Sequence, residues 1–356
     1  MMKNKLIIIA SSGSGGHIYP GISLAEEFKN KGYRIIFFIS DNTTSIEILK
    51  RSGFEYVTFN VLGMPRKITI TFIFFLIRIK LAFLKALKQI TKLKPLAVIG
   101  MGGYLAVPVI FAAKILHKKV FIHEQNTIPG KANLLLNKVT DKTFVSFQSS
   151  KIYLKNSFFS GYPIRNDILL PSKKKSLQDF KLLKKTPTVL IFGGSLGATN
   201  LNKIVFKTLF ELSIKNEFQV LHITGYKNYI EIEKKAKDNS SYRVFKYMHN
   251  IGTAYAASDI VICRSGAGTI FELEVLNKHA ILVPYPYATD NHQYLNAKEI
   301  EKKDVIILLE EKNLTKEKLN KALYILKKNI KNYIVKNVVK SPQELIFEEI
   351  MKCLKF

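Results

Sequence analysis

Cysteine is nearly absent from this 356-residue chain: Cys263 and Cys353 are the only two, and they show no short metal-ligand spacing. That excludes a disulfide-stapled framework and a zinc ribbon or finger, and it fits a reducing cytoplasm. Acidic side chains are scarce as well, with 27 Asp and Glu against 55 Lys and Arg, a surplus of +28. Such an excess implies attraction to something anionic, whether nucleic acid, a phosphorylated substrate or acidic lipid. Lysines spread over solvated faces would give the same count, so the location of the charge has to decide. No nucleic-acid module and no basic-aromatic strand motif occurs, which argues against nucleic acid. Also missing is an apolar run long enough to span a bilayer. The uncharged stretch 68–77 is short and runs into Arg78, Lys80, Lys85, Lys88 and Lys92, too short and too charged for a spanning helix. Residues 3–10, basic and then apolar, could be mistaken for a signal peptide, but the apolar stretch runs straight into a glycine-rich turn without a convincing cleavage pattern, so it reads as a buried first strand.

What is present is globular: 47% hydrophobic and 23% charged residues, in a chain longer than single cores usually grow, which predicts two domains. Residues 6–10 form an apolar run followed by Ser-Ser-Gly-Ser-Gly-Gly and a helical pattern over 19–31. The same grammar returns at 188–192, followed by Gly193-Gly194-Ser195-Leu196-Gly197 and a helical pattern over 200–212. Two such openings predict two doubly wound α/β halves. Further strands are expected at 34–39, 97–99, 120–123 and 143–146, then at 219–224, 243–246, 260–263, 280–283 and 305–307. Gly161 and Pro163 mark a linker at 160–165.

Gly13, Gly15 and Gly16 lie between strand and helix, where missing side chains let an anion approach backbone N–H groups. The turn is not the dinucleotide fingerprint, because Ile18 stands where a third glycine belongs, and it is no Walker A loop, because no Lys-Ser/Thr follows. A glycine turn without ligand is the plain alternative. His17 directly after it adds a proton acceptor near neutral pH. Gly100-Met101-Gly102-Gly103-Tyr104 should end a second strand on the same sheet edge, where ligands collect. His123-Glu124-Gln125-Asn126 closes another strand with four hydrogen-bonding side chains in a row; sugar hydroxyls would satisfy them, and so would a buried polar network. In the second half Arg264, Ser265, Gly266 and Ala267 lead from strand into helix, with Glu272 about one turn further on. Backbone amides there can take a phosphate while the carboxylate accepts two ribose hydroxyls; a favourable charge near a helix N-terminus is the alternative for Glu272.

The segment 68–92 stands apart. Its second part is amphipathic, with Arg78, Lys85, Lys88 and Lys92 on one side and Leu76, Ile79, Phe83, Leu87 and Ile90 on another. Its first part is apolar all round, which one core-facing stripe does not require. An inner-core helix or a helix with one face in a membrane interface would explain it, and the adjacent basic residues favour the interface, with Ile73, Phe74, Ile77, Arg78 and Lys80 in contact with an anionic membrane surface.

Taken together, these pieces closely resemble the MurG family, the peptidoglycan N-acetylglucosaminyltransferases of glycosyltransferase type B fold. The matching motifs are Gly13-Ser14-Gly15-Gly16-His17 with Pro20-Gly21, Gly100-Met101-Gly102-Gly103-Tyr104, His123-Glu124-Gln125-Asn126, Pro163-Ile164-Arg165, Gly193-Gly194-Ser195-Leu196-Gly197-Ala198, Arg264-Ser265-Gly266-Ala267 with Glu272, and Asn291-His292-Gln293 with Asn296-Ala297. Each is weak alone, but together, in family order over nearly the whole chain, they are specific. The resemblance implies two Rossmann-like domains facing across a cleft, an N-terminal acceptor and membrane-association domain over 1–162, a donor domain over 163–340, and a C-terminal helix over 341–356 packing back on the first. The implied substrates are UDP-N-acetylglucosamine and undecaprenyl-pyrophosphoryl-N-acetylmuramyl pentapeptide, joined by inverting transfer at the cytoplasmic face of the plasma membrane without metal or cofactor. Arg165 and Ser195 would contact the donor phosphates, with the Ser14, Gly15, Gly16 turn and the Arg264, Ser265, Gly266, Ala267 turn lining the donor. Glu272 would hold the ribose, the loop around Met248 would meet uracil, and Asn126, His292 and Gln293 would read the sugar. Gly15, Gly16, Gly102 and Gly103 would accept the lipid pyrophosphate, with Tyr104, His123 and Glu124 beside them, and His17 would be the base. Tyr162 departs from the Asn usual before the proline, and Leu196 from a frequent Gln.

Overall fold

The computed structural model describes residues 5–12, 15–61, 63–65, 70–194, 197–301, 305–330 and 340–354. They fall into two compact units, within the bounds Met1–Arg165 with Val338–Phe356 and Asn166–Asn337. Each unit is built on one parallel sheet.

The first sheet contains β1 (Leu6–Ser11), β2 (Arg34–Ser40), β3 (Glu55–Phe59), β4 (Ala97–Gly100), β5 (Lys119–Glu124), β6 (Lys142–Val145) and β7 (Ser157–Phe159), in the order β3-β2-β1-β4-β5-β6-β7. The second contains β8 (Thr188–Phe192), β9 (Gln219–Ile223), β10 (Tyr242–Phe245), β11 (Ile260–Cys263), β12 (His279–Leu282) and β13 (Ile306–Leu308), in the order β10-β9-β8-β11-β12-β13. All pairings are parallel. Helices cover both faces of such a sheet, so its central strands need apolar residues at every position. That is why β1 reads Leu-Ile-Ile-Ile-Ala-Ser and is buried throughout. β3 and β7 were not foreseen; both are edge strands, and β3 is largely half-exposed and has no apolar run to signal it.

The helix Ile70–Leu93 packs against the helix Ala106–Ile115 and buries Ala82, Ala86 and Ile90. Ile79, Phe83 and Leu87 join that core partly buried, but Leu76, expected with them, is 51% exposed. Ile70, Ile73, Phe74, Ile77, Leu81 and Leu84 are exposed as well, on the side of the helix opposite Ala82, Ala86 and Ile90 at 3.6 residues per turn. Among the described residues no helix is long and apolar enough to cross a membrane.

The helix Pro342–Leu354 belongs to the first unit. Ser341 and Glu344 cap its start reciprocally: the Ser341 amide donates to the Glu344 carboxylate at 2.8 Å, and the Glu344 amide to Ser341 Oγ at 3.3 Å. Its buried Ile346 and Ile350 join the core around Phe28, and Phe347 lies edge-on to Phe28 with centroids 5.0 Å apart. Lys142 reaches Glu349 at 2.5 Å, tying the helix to β6.

Candidate functional site

In each sheet the strand order reverses direction between two central strands, and ligands of open α/β sheets bind outside the carboxyl ends at that point. In the first unit the reversal lies between β1 and β4, with Ala10 opposite Gly100. The turns that follow are the first glycine turn and Met101-Gly102-Gly103. Gly102 and Gly103 have φ of +88° and +78°, the left-handed region that glycine alone enters cheaply. A Cβ at Gly103 would collide with Ser12 Oγ, and one at Gly102 would lie 3.1 Å from the His17 ring. Ser12 and His17 therefore come against the second turn because Gly102 and Gly103 lack side chains.

His17 is the third residue of the helix Gly15–Asn30. Pro20 within that helix has no N–H to offer the carbonyl of Gly16. The Tyr162 hydroxyl reaches that carbonyl instead, at a long 3.5 Å, so the unusual Tyr162 has a structural task. The Arg165 guanidinium stacks over the Tyr19 ring of the same helix, 4.0 Å from its centroid.

His17 Nδ1 lies 3.1 Å from Gln125 Oε1. Gln125 is buried, and its Nε2 donates to the Met101 carbonyl at 2.9 Å and sits 3.1 Å from His123 Nδ1. His123 Nε2 lies 3.3 Å from the Gly161 carbonyl, with Ser146 Oγ at 3.4 Å. Burial pushes the His123 pKa down to about 4, only partly opposed by the Gly161 bond, so its ring is neutral near pH 7. Glu124 is engaged by the loop that follows it and by the next helix: Oε1 accepts the Asn126 amide at 2.8 Å, and Oε2 accepts the Gly130 amide at 3.0 Å and Asn133 Nδ2 at 2.8 Å. Burial raises its pKa, and these bonds oppose the rise. The four-residue polar run is thus a buried network that reaches His17: Gln125 faces His17, whereas Glu124 holds the Asn126 backbone in place.

In the second unit the reversal lies between β8 and β11, with Phe192 opposite Cys263. Gly194 and Gly197 have φ of +97° and +81°, and a Cβ at Gly197 would lie 2.6 Å from the Thr224 carbonyl. Gly266 caps the helix Ala267–Val275, whose first turn has no side-chain cap and no acidic residue, so its amides are available to an anion. Glu272 is the sixth residue of that helix, past the first turn. The Tyr255 hydroxyl donates to its Oε2 at 2.9 Å. The Arg264 guanidinium donates to the Val283 and Pro284 carbonyls, each at 3.1 Å, and pairs with Glu311 at 2.5 Å. Ser265 Oγ donates to the Gln293 carbonyl at 2.8 Å, and Gln293 Oε1 accepts the Tyr285 amide at 2.9 Å. Just before the helix His292–Ile300, Asp290 and Asn291 both have positive φ, 50° and 52°, although neither is glycine. Such strain gathers at ligand clamps. His292 Nδ1 bonds the Thr289 carbonyl at 2.6 Å, and Met248 lies half-buried in the loop between β10 and the helix Ile251–Ala257.

Within the first unit, then, Gly15, Gly16, His17, Gly102, Gly103, Tyr104 and the residues 123–126 lie at or beside one sheet edge; in the second, Arg264, Ser265, Gly266, Ala267, Glu272, His292 and Gln293 share another. Ser14 and Ser195 lie outside the described residues, as do Gly13 and Leu196. Missed by sequence reasoning were Tyr255, the partner of Glu272, and Asn133, which fixes Glu124; both come from neighbouring helices and carry no local signal. Missed too was the network beneath the β8 turn, where Asn202 donates to the Thr224 carbonyl at 2.8 Å and to Asn228 at 3.1 Å while its Oδ1 lies 3.1 Å from His222 Nε2.

Comparison with known proteins identifies the family. Residues 7–145 match the glycosyltransferase family 28 N-terminal domain and residues 188–352 the glycosyltransferase family 28 C-terminal domain. The UDP-N-acetylglucosamine--N-acetylmuramyl-(pentapeptide) pyrophosphoryl-undecaprenol N-acetylglucosamine transferase of Finegoldia magna is 37% identical over 321 residues, 88% of this chain and 87% of that protein. The protein of the same name from Desulforamulus reducens is 33% identical over 364 residues, 98% of this chain and 97% of its own. Among solved structures, MurG of Acinetobacter baumannii superposes with a TM-score of 0.71 at 23% identity, covering 98% of this chain and 99% of that one, so the fold is shared. With both domain matches in order and this identity sustained over nearly its whole length, the chain belongs to glycosyltransferase family 28 and, within it, to the MurG family.

Proposed function

We propose that the protein transfers N-acetylglucosamine from UDP-N-acetylglucosamine to the C4 hydroxyl of undecaprenyl-pyrophosphoryl-N-acetylmuramyl pentapeptide, forming the lipid-linked disaccharide precursor of peptidoglycan. The names of its relatives support this chemistry. The observation that carries the residue assignment is His17, held by Gln125 against two glycine turns at the β1/β4 reversal.

On this reading the second unit binds the donor. Glu272 accepts the ribose hydroxyls, the loop at Met248 meets uracil, and His292 and Gln293 read the sugar with Asn126. The amides of the Gly266–Ala267 helix start and of the Gly193–Gly194 turn, with Arg165 and Ser195, take the diphosphate. Arg264 and Ser265 act by fastening that edge, since their side chains hold the carbonyls of Val283, Pro284 and Gln293. The first unit binds the acceptor pyrophosphate at Gly15, Gly16, Gly102 and Gly103, flanked by Tyr104, with His123 and Glu124 behind.

The reaction is one inverting displacement: the acceptor C4 oxygen bonds to the donor anomeric carbon, the bond from that carbon to the diphosphate breaks, and His17 takes the hydroxyl proton. Donors aimed at the leaving diphosphate stabilise the charge that develops there. The exposed apolar face of the helix Ile70–Leu93 supports peripheral attachment to an anionic membrane on its cytoplasmic side.

A donor panel tests the reading. Purified protein is given UDP-N-acetylglucosamine, UDP-glucose or UDP-galactose with a short-chain analogue of the lipid-linked muramyl pentapeptide, and product masses are recorded. The expected product gains one N-acetylhexosamine from UDP-N-acetylglucosamine alone; preferred transfer of glucose or galactose would overturn the assignment.

A further inference from the structure

We infer that Gln125 is a positioning residue that holds His17 in the Nδ1–H tautomer, so that Nε2 is the nitrogen that takes the acceptor's proton. The inference rests on the reading of His17 as the base, and its argument starts from two backbone carbonyls, which can only accept hydrogen bonds. The Gly161 carbonyl, 3.3 Å from His123 Nε2, requires the proton of that neutral ring on Nε2. His123 Nδ1 therefore carries a lone pair and accepts from Gln125 Nε2 at 3.1 Å. The Met101 carbonyl, 2.9 Å from the same Nε2, makes the identical demand on the amide. Turning the amide over would set its oxygen against the Met101 carbonyl and against the His123 lone pair.

The Gln125 oxygen must then face His17 Nδ1, 3.1 Å away, and only a protonated Nδ1 makes that contact a hydrogen bond. In a neutral imidazole this leaves the lone pair on Nε2. When Nε2 receives the hydroxyl proton, the ring becomes an imidazolium whose Nδ1–H still points at the Gln125 oxygen, which stabilises the new charge. An amide here does what a carboxylate does in a catalytic triad, fixing tautomer and orientation, without adding a negative charge. That suits a site meant to receive a pyrophosphate. Of the titratable groups nearby, His123 stays neutral through burial, the Glu124 carboxylate is turned to the Asn126 and Gly130 amides and Asn133, and Arg165 lies over Tyr19.

The test is a long-range ¹⁵N–¹H spectrum of the imidazoles, with His17 assigned by the signal lost in His17→Ala, together with steady-state kinetics. The wild type should show the Nδ1–H tautomer at His17. In Gln125→Leu the Nε2–H form should appear and turnover fall by ~10–10²-fold, less than the loss of the base itself, with donor affinity unchanged. Gln125→Glu should keep the Nδ1–H tautomer and move the acidic limb of the pH–rate profile upward, because a carboxylate favours the charged ring. A wild-type Nε2–H tautomer overturns the inference without any variant, and so does an unchanged tautomer in Gln125→Leu. A tautomer that shifts as expected while turnover stays at the wild-type value would instead sink the reading of His17 as the base.

Discussion

The site turns on a few side chains whose neighbours give each a definite job. Glu272 sits past the first turn of its helix, where the field of the helix terminus has faded, so favourable interaction with that terminus does not explain its charge. The Tyr255 hydroxyl fixes one of its oxygens, and the proposed reading assigns the carboxylate to the two ribose hydroxyls. Glu272→Ala should weaken UDP-N-acetylglucosamine binding by ~1.5–3 kcal/mol, the worth of charged hydrogen bonds; unchanged affinity by calorimetry in a folded variant would remove the ribose role. His17→Ala should cut turnover by ~10²–10⁴ with donor affinity nearly intact. If His17 instead served as a ligand of the acceptor pyrophosphate, the variant would lose acceptor affinity and regain much of its rate at saturating acceptor. His17 and Glu272 stood out in the chain by their neighbourhood of glycines. Gln125 acquires its role through His17, 108 positions away, while Tyr255 and Asn133 reach Glu272 and Glu124 from adjacent helices, in contacts that no local pattern marks.

At the scale of elements, the helix Ile70–Leu93 divides its labour between two sides. Small residues, Ala82 and Ala86, let it approach the Ala106–Ile115 helix closely, while Ile73, Phe74 and Ile77 remain about half exposed. In the proposed reading this apolar face, flanked by Arg78 and Lys80, inserts while the basic side chains meet acidic headgroups. Replacing Ile73 and Ile77 by Ser and Arg78 and Lys80 by Glu should abolish sedimentation with anionic vesicles and leave the fold intact, since none of the four is buried; retained binding would rule this helix out as the contact. Its amphipathic second part was readable from periodicity. Which of its two apolar sides is covered was not, because that depends on where the Ala106–Ile115 helix lands; Leu76 was expected on the covered side and is exposed. The edge strands β3 and β7 escaped for a related reason. Half-exposed pairing on a single side asks for no run of apolar residues.

For the molecule as a whole, buried histidines link stability to pH. Burial lowers the His222 pKa to about 3 and that of His123 to about 4, against ~6.5 in an unfolded chain. As pH falls through the window from ~6.5 to about 4, the unfolded chain gains protons that the folded one refuses. Stability from this source is therefore complete above ~6.5 and declines below it, by up to ~1.4 kcal/mol per pH unit for each histidine. The melting temperature should drop between pH 7 and pH 4, and His222→Gln, which can still bond Asn202, should make the drop shallower. An unaltered slope would mean that His222 protonates freely in the folded protein. Much of the larger picture was already legible locally. Apolar runs before glycine turns announced two parallel α/β halves, because buried parallel strands and tight turns each impose a composition on neighbouring residues, and the ordered motifs carried the family. Strand order carries no such local mark. That β1 pairs with β4 and β8 with β11, and that His17 meets Gln125, follow from which helices cover which side of each sheet, a competition among contacts far apart in the chain that only the folded molecule resolves.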